Sequence, residues 1–258
     1  MPLRTVSLDQ LTIDDEAAFA AVPLYPRLKE VLRRSGHRFY VPTPGTPFSW
    51  DRALFLNLTY WNGEAGADVL CEQHLAADVV THIAWHHLVG ERVTAAAGSS
   101  GTATAMLFAE SVASAFDLHV LGRLWRQAPG SEFVTTQVPI LSEAAQEAGI
   151  TDDDFATLMT EISDEPDRAF EDLRQLLFDA ATALLGCRDA VEAQTQLERF
   201  AGHRFAGLLH HYQLSNWILY GRAHARADAS VDEAVRGFDA TLRRAPASLG
   251  WLVENWVQ

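Results

Sequence analysis

TATAMLFAESVASAFDLHVLGRLW, residues 102 to 125, decides the fold. An α-helix turns about 100° per residue, so residues three, four, seven or eleven apart share a face. On that spacing Ala103, Met106, Leu107, Ala113, Leu118, Leu121 and Leu124 form one apolar stripe. The stripe predicts a core helix over roughly Thr102 to Gln127, with Thr102 available as its cap. Glu110 and Asp117 fall in the middle of that stripe, seven residues apart, with Ser114 between them, and His119 projects from the opposite face. Ionised carboxylates are almost never buried unpaired, so two stacked on a core stripe call for a cation.

The helix before it carries "DVVTHIAWHHL", residues 78 to 88, with His82, His86 and His87 in six residues. Read as one helix from about Ala65 to Gly90, its stripe is Val69, Leu75, Ala76, Val79, Val80 and Ile83. Glu72 lies in this stripe, His86 follows it at an offset of fourteen, and His82 sits one turn before His86. His74, Asp78 and Trp85 point the other way. A late segment repeats the pattern: in "GHRFAGLLHHYQLSNWILYGRAHA", residues 202 to 225, His203, Ala206, His210, Leu214, Trp217, Gly221 and His224 share a helical face. His211 lies about 100° round from His210.

Helical spacing extends over most of the chain. Residues 1–50 hold an N-terminal helix that closes on Gly36, then the Pro-rich connector "YVPTPGTPFSW". Residues 65–127 are the two long core helices, joined by the turn "AAAGSSGTAT". Residues 128–150 are a loop, "APGSEFVTTQVP", and a short helix. Residues 151–258 are helices that complete the bundle, among them a long stretch from Arg188 that breaks near Gly202. No convincing strand appears. The expected class is all-α, a single domain over 1–258 built as a helical bundle with additional short helices around one core.

Composition narrows the partners. The formal net charge is −14, which repels phosphate backbones and anionic membrane surfaces. Lys29 is the one lysine among 20 basic residues, an arginine bias that points to a GC-rich bacterial genome. Cys71 and Cys187 make no disulfide framework, and Cys71 near His82 reads as an apolar buried thiol. The N-terminus lacks an apolar signal core, and no apolar run approaches the ~18 residues of a membrane span. A cytoplasmic location is expected, with no nucleic-acid or membrane partner.

The charged groups on the three stripes define a candidate metal site: Glu72, His82, His86, Glu110, Asp117, His203 and His210. Carboxylates and imidazoles within a helical bundle suit iron, as one or two ions, ahead of manganese or zinc. Oxygen and nitrogen ligands without thiolate argue against a structural zinc site. His37, His74, His119 and His224 read as surface or capping residues. No His-Glu-x-x-His, Gly-x-Ser-x-Gly or P-loop motif is present.

These residue types and their burial in three long helices resemble the helical di-metal carboxylate proteins, the ferritin-like and haem-oxygenase-like di-iron oxidases. The Glu-x-x-His pair of those proteins is absent: Gln73 and His74 follow Glu72, and Ser111 and Val112 follow Glu110. The resemblance implies a non-haem iron oxidase or oxygenase that activates O₂ to oxidise, hydroxylate or desaturate a small organic substrate. Met106, Ser114, His211 and Trp217 would then border the substrate pocket. The alternatives are a zinc or manganese hydrolase using the same site, and a non-catalytic binding or scaffold protein, with the apolar tail "LGWLVENWV" as a homodimer contact.

Overall fold

In a computed structural model of the chain, residues 3–43, 67–70, 72–97, 102–224 and 232–257 are described. The class is all-α: these residues form eleven α-helices and five short strands. The chain divides into two compact units, Met1–Ala84 and Trp85–Gln258.

The first unit holds the strands. β1 (Leu3–Ser7) pairs antiparallel with β3 (Arg38–Pro42), and β3 pairs parallel with β4 (Ala67–Val69). β2 (Thr12–Asp14) pairs parallel with β5 (His74–Ala76). In β3, Phe39 and Val41 are buried and alternate with the more exposed Arg38 and Tyr40, the two-residue period of a strand with one face on a core. Runs of three to five residues are too short for that period to stand out in a sequence. The helix expected to close on Gly36 is interrupted around Pro23, and Pro26 sits in the first turn of its second part. It forms α1 (Glu16–Phe19) and α2 (Tyr25–Arg34), and Gly36 follows with φ +69°, the left-handed turn that ends a helix at little cost only for glycine. Phe19, Val22, Tyr25, Leu28 and Leu32 fill the core beneath. Residues 44–50 of the connector, Cys71 and the "GSSG" turn lie outside the described residues.

The strand β5 corrects the register of the histidine helix. α3 runs Ala77–Ala97 rather than from Ala65. Glu72 therefore precedes it in a bend, and the helical face argued for Glu72 does not exist. His74 is an exposed strand residue whose Nδ1 lies 3.0 Å from Asp14 Oδ1. Trp85, read as outward, is fully buried.

The second unit is built on α4 (Ala103–Gln127), started by Thr102, whose hydroxyl accepts from the Ala105 amide. Around it lie α5 (Glu132–Glu147), α6 (Asp152–Asp164), α7 (Pro166–Leu185), α9 (Leu214–His224) and α10 (Glu233–Arg244), with α7 its principal partner. α8 (Ala190–Glu198) and α11 (Ser248–Asn255) pack on α7. By length and composition α4 is the one helix among the described residues that could cross a membrane, and 83% of its apolar window is buried by the protein. An apolar helix so enclosed is a core element. The expected loop at 128–139 is instead the start of α5. Ser131 accepts from the Val134 amide and Glu132 stands in the first turn, start signals that outweigh the β-branched residues behind them. The tail residues Leu249, Leu252, Trp256 and Val257 are buried within this chain.

One buried ion pair ties α7 to α10. Arg174 is 0% exposed and donates to Asp239 at 2.8 Å and to Glu171 at 2.9 Å. Burial pushes the Glu171 carboxyl up, but hydrogen bonds from Arg174 and Gln175 and the charge of Arg174 outweigh it and hold the group below its usual range.

α4 and α6 meet at Gly122. A Cβ there would stand 2.6 Å from the Ile162 carbonyl oxygen, a backbone atom that cannot yield cheaply. Gly90, inside α3, has nothing within 4 Å of a Cβ. Gly122→Ala should cost about 1–3 kcal/mol by overpacking, and Gly90→Ala should gain about 0.5–1 kcal/mol from helix propensity. Denaturant unfolding of the two variants measures both, and equal effects would contradict the close approach of α4 to α6.

Candidate metal centre

α3 is continuous from Ala77 to Ala97, and the division between the two units falls within it. His82 and His86, four residues apart, occupy one face of this helix, one turn from each other. Glu110 lies on α4. One ligand atom from each of His82, His86 and Glu110 falls within 4.8 Å of the others, and all three residues are half-buried.

The closest measured pair is informative. His86 Nε2 stands 3.4 Å from Glu110 Oε1. Hydrogen bonds between such atoms are shorter, about 2.7–3.2 Å. Two ligand atoms each about 2.1–2.2 Å from one ion stand about 3.0–3.6 Å apart for angles between about 90° and 110°. The spacing therefore fits a shared cation, and two imidazoles with one carboxylate form a donor set suited to a divalent transition metal.

The other residues singled out in the sequence sit elsewhere. Glu72 is exposed. Asp117 is half-buried two turns further along α4, and its charge acts on His211 and Tyr212. His203 is half-buried, and its Nδ1 accepts a hydrogen bond from the Phe205 amide; His210 is exposed. The seven-residue spacing of His203 and His210 matched a helix face, but α8 ends at Glu198 and the chain proceeds in turns, with one short 3₁₀ segment, until α9 begins at Leu214. The two histidines therefore share no helical face. Of the pocket candidates, Met106 is half-buried and Ser114 buried, one turn to either side of Glu110 on α4. Trp217 is half-buried on α9, and His211 packs edge-on against Tyr212 at 4.9 Å.

His119, read as a surface residue, is 5% exposed. It stacks on Phe116 at 5.4 Å, with its Nδ1 3.2 Å from Asp167 Oδ1. The readable signal is that α4 is apolar on both sides, so no face of it is an outer face. Compared with known proteins, the chain matches no family model, no curated protein and no solved structure.

Removing a ligand should abolish binding at this centre. His82→Ala, His86→Ala and Glu110→Ala should each weaken Co(II) affinity more than about 100-fold, since loss of an outer-shell partner alone costs 10–100-fold. Glu72→Ala and His210→Ala should leave it unchanged. Titration followed by the visible Co(II) bands reads the difference, and a Glu72→Ala loss as large as that of Glu110→Ala would contradict this assignment.

Burial holds His211 below the ordinary histidine range against the raising charge of Asp117, and holds His203 down against that of Asp172. Such a histidine takes its proton more readily in the unfolded chain. It costs nothing above about pH 6.5, and its penalty grows as the pH falls below that value. Thermal stability should therefore drop on acidification from about pH 7 to 5, and His211→Asn should flatten that drop. Parallel curves for the variant and the parent would contradict the burial of His211.

Proposed function

We infer that the chain is a metal-dependent oxidoreductase, a non-haem iron oxidase or oxygenase that acts on a small organic substrate and O₂ in the cytoplasm. The observation that carries this reading is the convergence of His82, His86 and Glu110 within 4.8 Å. Two histidines and one carboxylate hold one face of an ion and leave positions open, the arrangement of mononuclear iron oxygenases. One ion is enough for the ligands gathered. Bound Fe(II) would supply O₂ binding and activation at those open positions.

The chain's own residues do the rest. His82 and His86, fixed one turn apart on a single helix, set the angle between two ligands. Glu110 closes the third side from α4 and supplies the negative charge that favours a divalent ion. Met106 and Ser114 flank Glu110 along α4 and offer one apolar and one hydroxyl contact to a substrate.

Catalytic zinc takes the same two-histidine, one-carboxylate set. In the helical zinc hydrolases the residue after the first histidine is a glutamate that serves as general base. Here that residue is Ile83, which is buried. The helix supplies no base at that position, and this favours oxidation over hydrolysis. A binding or scaffold role leaves the grouping of the three ligands without a purpose.

The reading predicts one Fe(II) per chain under anaerobic loading. Nitric oxide, which occupies an open iron position in place of O₂, should then give the electron paramagnetic resonance signal of a high-spin iron–nitrosyl. Glu110→Ala should lose the signal. Metal-free protein that takes up zinc but no Fe(II), or bound iron that fails to bind nitric oxide, would overturn the oxygenase reading.

A further inference from the structure

A second polar feature in the unit Trp85–Gln258 has no part in the metal centre. Where α6 ends and α7 begins, against the last turns of α4, a cleft of about 460 Å³ opens. Its walls include Arg123, Arg126, Ser163, Asp164, Asp167 and Arg168. Three guanidiniums and three carboxylates, counting Glu165, face one another there, and the distances show which are matched.

Two pairs are closed. Arg126 Nη2 lies 2.6 Å from Asp164, and Arg168 Nη1 lies 3.0 Å from Glu165. The third is looser. Asp167 is approached by His119, with Nδ1 at 3.2 Å, while Arg123 Nη2 makes a longer ion pair with it at 3.7 Å. The His119 contact, first among several, also holds the Asp167 carboxyl below its usual range. Arg123 Nε is buried without a hydrogen-bond partner, and so is Ser163 Oγ. Buried donors left in that state are costly and rare. Both residues line the same cleft, and a guanidinium with free donors is suited above all to a planar or tetrahedral oxyanion.

We propose that this cleft binds a small oxyanion, a carboxylate or a phosphate, held by Arg123 and Ser163, with His119 as the positioning residue that keeps Asp167 from closing on Arg123. With the Arg123 and Ser163 side chains turned toward the cleft, ligand oxygens accept from Arg123 Nε and from the Ser163 hydroxyl, which satisfies both buried donors. Asp164 and Glu165 do not repel it strongly, because Arg126 and Arg168 already neutralise them. His119 carries no bond to the ligand. Its work is to retain a carboxylate that would otherwise occupy the ligand's place.

The test is calorimetric titration of the full chain, in low-chloride buffer, with inorganic phosphate and separately with acetate. Saturable binding of at least one is expected, and the preferred anion tells a phosphoryl ligand from a carboxylate. Arg123→Met should weaken binding about tenfold or more, and Ser163→Ala severalfold. Should the Arg123→Met protein fail to fold, Arg123→Lys, which keeps the charge and loses the fork, carries the same comparison. His119→Phe preserves the stack on Phe116 but releases Asp167, so it should weaken binding, and adding Asp167→Asn should restore it. A merely structural role for His119 would show no such rescue. Absence of saturable binding by the parent protein, or Arg123 variants that bind as it does, would overturn the proposal.

Discussion

The enclosure of α4 governs the second unit. Ser111, Val112, Ala113, Phe116, Val120, Leu121 and Leu124 are buried around it, Met106, Glu110 and Asp117 are half-buried, and a helix so enclosed must find partners for the polar groups it carries. Glu110 meets His86. Asp117 acts on His211 and Tyr212. His119 stacks on Phe116 and meets Asp167. Gly122 then brings α6 so near that a methyl group would strike the Ile162 carbonyl. Ser163 and Asp164 follow Ile162 directly, and this approach sets the cleft wall beside α4. The candidate metal site and the cleft both follow from placing ionisable residues on a helix that its neighbours largely enclose.

How much of this could be read in advance depended on whether a residue's chemistry rested on local or tertiary order. The core helix itself, its Thr102 cap and the place of Glu110 on its buried stripe follow from the spacing of apolar residues within one continuous segment. His82 and His86 are four apart on one helix, so their common face was legible without knowing where that helix starts. The position of Glu72 was not. It required the helix to extend back past Ala77, and strand pairing with Thr12–Asp14 ends it first. Pairing between residues sixty apart leaves no local trace in a three-residue run. His203 and His210 failed for a related reason. Their spacing suited a helix, but the chain turns there instead, and heptad spacing means nothing off a helix. His119 was misjudged because a two-sided reading of α4 assigned it an outer face.

The chemistry at His82, His86 and Glu110 follows from ligand type more than from fold. Two neutral imidazoles and a carboxylate would bring one negative charge to a divalent ion and leave it net positive, a state that would favour anionic or polarisable ligands at any open position. The bulk charge of −14 concentrates cations near the protein at low ionic strength and assists loading. Glu110 stands on α4 and the two imidazoles on α3, so a bound ion would link the two helices and its binding energy would add to the folding energy.

The most direct test of the central claim is X-ray absorption at the iron edge of the Fe(II)-loaded protein. The account predicts a shell of nitrogen and oxygen scatterers at about 2.0–2.2 Å, no sulfur, and the multiple-scattering pattern of two imidazole rings that falls to one in His82→Ala. An all-oxygen shell with no imidazole scattering, or a spectrum unchanged by that substitution, would contradict it.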